Sequence, residues 1–392
     1  MKKIYLFSSV FLWTTKESGL LYNVAQGSYL RFSLDNKYIS RVCSQWQEIR
    51  NLYVARYDER CVDEEFICFT KAIDKKGLGK VAEENTPVVS IPPYLKIKHG
   101  ISQNPAGGRA LKSEPVLPCL AKVCFFLGGA KEHGELWPLY PKIIAAKLNV
   151  DRVKTFLTRC DKSYLKRIDL VISEWDYQHI ISFAEGLKDQ KEIIRFLFTH
   201  PDPSFDNEIV DCLVADGYAV TQVCPSDAKC QKVSWVPGRG YQLLARSEEE
   251  VEHWEILLEG SEGVNYDFKP IADSNLEFFR KYIFLSEEEI LSQKLTKKDI
   301  FRHQALNVNQ FGTFFVFPDG TIHPAADAPA IGTLEDSVHQ TIIRELEENH
   351  AWRQTRRLME PCKDCLYHDL CPSPSVYEKV FGVPGCTYWK QA

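Results

Sequence analysis

The sequence predicts an α/β protein in three parts: a small α+β unit, a run of strand–helix repeats forming an open or partial barrel, and a cysteine-bearing C-terminal segment. Three observations carry this. Strand and helix patterns alternate from about residue 119 to 285, a few short strands and two amphipathic helices precede them, and Cys362, Cys365, Cys371 and Cys386 gather near the end among prolines and glycines.

The chain has 392 residues, enough for two or three domains with full cores. Its 44% hydrophobic and 26% charged content is ordinary for a soluble globular protein. A net charge of -5 and a pI near 6.1 supply no basic field, so nucleic acid is not an expected partner. Thirteen cysteines could build a disulfide framework. The odd count, the chain length and the metal-ligand spacing of the clearest group fit a reducing, cytoplasmic setting better.

Residues 1–86 form the first unit. Lys2-Lys3 and the apolar run Ile4 to Trp13 resemble a short signal peptide, but no small-residue cleavage site follows and the stretch reads as a strand. Leu20 to Val24 and Ser28 to Phe32 read as two more strands, the first entered through a turn at Ser18-Gly19. Tyr38, Ile39, Val42, Trp46 and Ile49 recur at mostly three- and four-residue steps, one face of a helix. Asn51 to Tyr57 reads as a short strand and Phe66 to Lys76 as a helix stopped by Gly77. Residues 87–118, rich in Pro, Gly, Asn and Ser, read as a linker holding one strand, Tyr94 to Lys98.

In residues 119–285, Lys122 to Leu127, Arg167 to Ile172, Ile193 to Phe198, Ala219 to Val223 and Tyr241 to Ala245 are short apolar runs that read as parallel strands. Tyr140 to Leu148, Asp151 to Thr158, Tyr177 to Leu187, Asn207 to Ala215 and Glu248 to Leu258 read as helices. Five or six such units make a partial (β/α)6 barrel rather than a closed eight-fold one. No run approaches 18 apolar residues, so no membrane helix is expected. Residues 286–392 form the last unit. Phe314 to Ile322 reads as a hairpin turning at Asp319-Gly320, and Ser337 to His350 as a helix.

The chemistry sits in Cys362-x2-Cys365-x5-Cys371 and the later Cys386. Two thiolates two residues apart can reach one metal ion or cluster from a single turn, and two more complete a four-thiolate shell. Iron–sulfur or Zn2+ both suit such a shell, and His368 offers a mixed site. Most of the nine other cysteines read as small buried hydrophobes. His133 with Glu132 and Glu135, and Asp202 with Asp206, occupy strand-end loops and read as solvated polar residues. Glu248-Glu249-Glu250 read as a helix start.

Pro318-Asp319-Gly320, Ile331-Gly332 and the cysteine run together resemble the SPASM domain that ends many radical-SAM peptide maturases. The resemblance implies one [4Fe-4S] cluster on Cys362, Cys365, Cys371 and Cys386. It also marks departures. Where that family places ligands of its other auxiliary cluster, this chain has Ala325 and Ser375, and no cysteine lies just upstream of Gly320. The middle region resembles the radical-SAM partial barrel, whose enzymes hold their S-adenosylmethionine cluster on C-x3-C-x2-C after the first strand. The corresponding loop, residues 128–135, has no cysteine, and Cys119 and Cys124 lack a third partner.

Residues 1–86 resemble a winged-helix peptide-recognition element, in which a leader peptide adds a strand to a sheet edge. That implies an edge at Ser28, Tyr29, Leu30, Arg31 and Phe32, with Phe66, Phe69 and Ile73 as a groove wall. Over its whole length, and most specifically in residues 300–386, the chain resembles pseudo-radical-SAM/SPASM proteins of Bacteroidales-type peptide maturation cassettes with Gly-Gly precursors. The resemblance implies a non-catalytic iron–sulfur partner of a true radical-SAM/SPASM maturase that also binds the ribosomal precursor peptide. S-adenosylmethionine is not expected to bind productively. The alternatives are an electron-transfer subunit and an enzyme with an unconventional site.

Overall fold

The computed structural model describes residues 1–94, 115–128, 146–173, 176–199, 207–225, 235–236 and 238–387. The expected strand from Ile4 to Trp13 is two strands, β1 (Lys2–Leu6) and β2 (Val10–Thr14), in different sheets. The chain turns at Phe7, whose carbonyl accepts from Val10 N–H at 3.0 Å. One continuous apolar run thus serves two cores: Ile4 and Leu6 enter one, Phe11 and Trp13 another. β2 forms an antiparallel meander with β3 (Ser18–Asn23) and β4 (Ser28–Ser33). β1 pairs on either side with β5 (Val54–Tyr57) and β6 (Gly79–Glu83), the latter without a sequence signal of its own.

Two capped helices cover these sheets. In α1 (Lys37–Gln47) the Asn36 side chain accepts from Tyr38 and Ile39 N–H, and in α2 (Glu64–Lys75) Asp63 accepts from Phe66 N–H. Their apolar faces meet Ile4, Leu6 and Ala55 through Ile39, Val42, Trp46, Phe66, Phe69 and Ile73.

Six parallel strands come next in sequence order: β7 (Lys122–Phe126), β8 (Arg167–Ile172), β9 (Ile194–Phe198), β10 (Ala219–Cys224), β11 (Gly240–Ala245) and β12 (Asn265–Pro270). α3 (Val150–Thr158), α4 (Tyr177–Gly186), α5 (Asn207–Ala215) and α6 (Glu248–Leu258) lie on four of the crossovers. Because each strand is laid beside its predecessor, right-handed crossovers stack the helices on one face. Val123, Phe125, Ile168, Leu170 and Phe196 fill that face against Phe156 and Phe183. The opposite, inner face carries Cys124, Phe126, Val171, Leu197, Val223 and Leu244. β12, which continues the series, is an addition to the five expected strands. Of the expected helix Tyr140 to Leu148, residues 140–145 lie outside the described residues, as do 129–135, Asp202, Asp206 and the strand expected from residue 95 on. Lys147 bridges Gly128 instead of continuing a helix.

The hairpin expected in a separate C-terminal unit joins this same sheet. β13 (Thr313–Val316) runs parallel to β7, with Phe315 opposite Cys124, and β14 (Thr321–His323) and β15 (Gly332–Thr333) extend it antiparallel. The nine strands thus run β12-β11-β10-β9-β8-β7-β13-β14-β15, and no break in the sheet separates the strands of residues 119–285 from the hairpin. Gly320, at φ +90°, makes the hairpin turn. α7 (Leu276–Tyr282), α8 (Glu287–Ser292) and α9 (Lys297–Ala305) link β12 to β13. α10 (Val338–Glu348) packs Val338, Ile342 and Leu346 onto the helix-face core, and α11 (Val376–Phe381) comes after the cysteine run. No described helix is long and apolar enough to cross a membrane.

At the start of the inner face, Asp169 is 2% exposed and meets three cations. Lys122 Nζ lies 2.9 Å from Oδ2, Arg167 Nε 2.8 Å from Oδ1, and Arg195 bonds both oxygens at 2.9 Å. Burial alone would raise its pKa. Lys122 and Arg195 overcome that and hold it at about 2. A carboxylate depressed in the folded state stabilises above its unfolded pKa of about 3.9 and loses that contribution as pH falls through the folded value. Urea unfolding of the wild type and Asp169→Asn should therefore show a stability gap that narrows by about 2 kcal/mol from pH 4 to about pH 2; a gap independent of pH in that window would contradict this assignment.

Candidate metal centre

The four cysteines are brought together from two directions. Cys362 opens a tight turn in which Cys365 N–H donates to Cys362 O at 3.0 Å, and Cys371 N–H donates to Tyr367 O at 2.8 Å. Cys386 returns on a loop anchored just beyond α7: it bridges Leu285, whose N–H donates to Gly385 O at 3.3 Å and whose carbonyl accepts from Thr387 N–H at 3.0 Å. Cys362 and Cys371 are buried, Cys365 and Cys386 half-buried.

Burial pushes up the thiols of Cys362 and Cys371, and that of Cys365 to about 11. The sulfurs act on one another as well: Cys362 and Cys386 both raise Cys365, and all three partners raise Cys371. Three thiols whose ionisation burial and their neighbours disfavour form a site that a cationic group would stabilise as thiolates.

Two N–H groups already point at sulfur. Arg356 Nη1 donates to Cys362 Sγ at 3.5 Å and the Tyr367 amide to Cys365 Sγ at 3.5 Å. Such donors are what a thiolate-bound cluster uses to offset its negative charge. Among the described residues, no three His, Cys, Asp or Glu side chains gather closely enough to ligate one metal ion. The ring nitrogens of His368 are engaged by Cys365 O at 2.5 Å and Asp369 Oδ1 at 3.4 Å, so the mixed site with His368 is not formed.

A buried ion pair and a buried carboxylate hold this segment, and neither was anticipated from sequence. Arg356 forms a bidentate pair with Glu378 at 2.8 and 3.0 Å, and its Nε donates to Pro372 O at 2.5 Å. Asp369, fully buried, accepts from Trp13 Nε1 at 2.7 Å, Gln304 Nε2 at 2.9 Å and Arg357 Nε at 2.7 Å. Burial would raise its carboxyl pKa, but Arg357, His368 and Trp13 hold it below the usual range. Around it Phe11, Trp13, Leu20 and Tyr22 pack on Leu366, Tyr367, Leu370 and Cys371. The legible signal was Ser375-x-x-Glu378, a capping box that forms as written at the start of α11.

Ser375 therefore has a structural task where the SPASM pattern has a cysteine. Ala325 is buried, and nearby Lys379 Nζ reaches Asp327 Oδ2 at 2.9 Å. A pocket of about 140 Å3 lies there among Asn307, Gln310, Asp327, His350, Ser375 and Lys379. It holds no cysteine.

Of the other cysteines, Cys43, Cys124, Cys160 and Cys224 are buried, but Cys61, Cys68 and Cys212 are exposed and Cys119 lies between. Among the described residues only four of these eight are buried, because Cys68 and Cys212 fall on the outer faces of α2 and α5; Cys230 lies outside the described residues. Burial pushes the Cys124 thiol up to about 12.

β4 is an outer strand of its sheet, which puts Ser28, Tyr29, Leu30, Arg31 and Phe32 on an edge. Phe66, Phe69 and Ile73 do not wall an open groove. All three are buried, Phe69 meeting Phe32 at 4.9 Å between centroids, because their three- and four-residue spacing marks the core face of α2. Lys76 Nζ already donates to Tyr29 O at 2.8 Å, and the Lys76 carbonyl accepts from Ser28 Oγ at 2.7 Å.

No protein-family model matches the chain, and no curated protein does. Among solved structures it is similar to SuiB of Streptococcus suis, solved bound to precursor peptide SuiA, at 10% identity, 98% coverage of each chain and a TM-score of 0.41. It is also similar to anSMEcpe with bound AdoMet, at 9% identity, covering 64% of this chain and 84% of that one, with a TM-score of 0.41. Neither likeness is large enough to assign an activity.

Removing one partner of the Arg356–Glu378 pair strands a buried charge. Glu378→Ala should cost about 3–5 kcal/mol in urea unfolding, and the double variant Arg356→Met/Glu378→Met should recover most of it. A single variant as stable as the wild type would show that the pair does not hold the segment.

Proposed function

We propose that this chain is an iron–sulfur pseudoenzyme that works beside a radical-SAM maturase in the modification of a ribosomal peptide. The observation that carries the reading is the cysteine segment: Cys362, Cys365, Cys371 and Cys386 lie near enough for their charges to be felt at Cys365 and Cys371, two of the sulfurs have N–H donors, and the sequence contains no C-x3-C-x2-C to hold a catalytic cluster. Cys362, Cys365, Cys371 and Cys386 would hold one [4Fe-4S] cluster. Bound there, it supplies either a structural staple or a one-electron carrier. Arg356 and the Tyr367 amide offset its charge, and Glu378 fixes the guanidinium that does so. The resemblance to pseudo-radical-SAM/SPASM proteins supports the partner role, a cytoplasmic setting and the absence of productive S-adenosylmethionine binding.

The half-buried Cys365 and Cys386 favour a second reading, an electron-transfer subunit, because they bring one side of the site towards solvent. β4 is one of the outer strands of the first unit, and we assign it to the precursor peptide.

The purified, anaerobically reconstituted chain should contain about four iron and four sulfide per polypeptide with broad visible absorbance, lost in Cys365→Ala. Incubated with S-adenosylmethionine and a reductant, it should release no 5'-deoxyadenosine. One zinc without labile sulfide would remove the cluster, and sustained 5'-deoxyadenosine release would remove the pseudoenzyme. For the peptide, hydrogen–deuterium exchange of the whole chain should show new protection across residues 28–33 when the precursor is added. Protection confined to other segments would refute that assignment.

A further inference from the structure

On the helix face of the large sheet, at its β12 end, a half-open cleft of about 440 Å3 lies between α6 and α7. That volume suits several side chains of a bound segment. Its floor is apolar, from Phe268, Phe278 and Tyr282, and one wall is acidic, from Glu248, Glu252 and Glu255. Tyr282 is 44% exposed and the adjoining Ile283 37%, so bulky apolar surface faces solvent beside the carboxylates.

The three glutamates sit four and three residues apart on one stripe of α6. Helix stability explains only part of this. Glu248, Glu249 and Glu250 lie in the first turn, where carboxylates meet the positive end of the helix dipole. Glu252 and Glu255 lie beyond it, and like charges at such spacing repel. Glu248 takes Lys281 Nζ at 3.0 Å, whereas no described residue pairs with the side chain of Glu252 or Glu255. An apolar floor beside two uncompensated carboxylates is complementary to a group that is cationic at one end and apolar along its body.

We propose that this cleft docks a polypeptide segment presenting arginine beside a bulky apolar side chain. The apolar side chain lies on Phe268 and Phe278, and the guanidinium sits between Glu252 and Glu255, away from Tyr282, whose ring already takes Lys281 Nζ at 4.6 Å from its centroid. This surface is separate from the cysteine centre and from β4, and it does not depend on the cluster.

The test uses the full chain and two acetylated, fluorescein-labelled pentapeptides, Leu-Arg-Phe-Arg-Leu and Leu-Glu-Phe-Glu-Leu, followed by anisotropy. The arginine peptide should bind and the glutamate peptide should not. Glu252→Lys/Glu255→Lys should weaken the arginine peptide at least tenfold. Glu185→Lys/Glu192→Lys, which makes the same change of net charge at exposed positions in and beyond α4, should leave affinity within twofold. Equal loss in both double variants, binding of both peptides, or binding of neither would overturn the proposal. Unchanged thermal unfolding of the variants separates lost docking from lost fold.

Discussion

A single buried carboxylate fastens the two ends of this chain together. Asp369 has no access to water, so its charge persists only while Trp13, Gln304 and Arg357 surround it. An unpaired carboxylate at that depth would cost several kcal/mol or take up a proton. The first antiparallel sheet, α9 and the cysteine loop are therefore positioned as one group. Cys371, two residues further on, inherits its place from this arrangement, and the apolar layer of Phe11, Leu20 and Tyr22 closes over it. What looks in sequence like an independent knuckle is the floor of an interface with the N-terminal unit.

Features with local signals were legible. Apart from the helix expected over Tyr140 to Leu148, the strand–helix alternation from β7 to β11 emerges within a residue or two of expectation, because each element shows its own periodicity and punctuation. Cys362, Cys365 and Cys371 were legible for the same reason: their spacing lies within one turn-rich stretch. Non-local features were not. The pairing of Phe315 with Cys124 links positions nearly two hundred residues apart, and no pattern in either strand announces it. The break at Phe7 was hidden because a run apolar throughout does not reveal that its halves face different cores. β12 has little apolar alternation, as suits a strand with one side unpaired by the sheet.

The same distinction holds around the cysteines. Ser375 caps α11, and Glu378 serves both that cap and the guanidinium of Arg356. Where the related pattern places a thiolate, the chain has built a polar clamp whose other end reaches Cys362. A carboxylate and a buried arginine order the segment there.

The Trp13–Asp369 bond spans 356 residues of sequence, and that distance bears on how the protein is made. At about 5–20 residues per second, a ribosome needs roughly 20–70 s to travel from one partner to the other. Until Ile290, Leu291 and Ile300, and then Leu366 to Cys371, have been made, the face of the first sheet carrying Phe11, Trp13, Leu20 and Tyr22 has no covering layer of its own chain. The nascent N-terminal unit thus presents a sticky aromatic surface for most of its synthesis, and the cell must shelter it until the last segment leaves the exit tunnel.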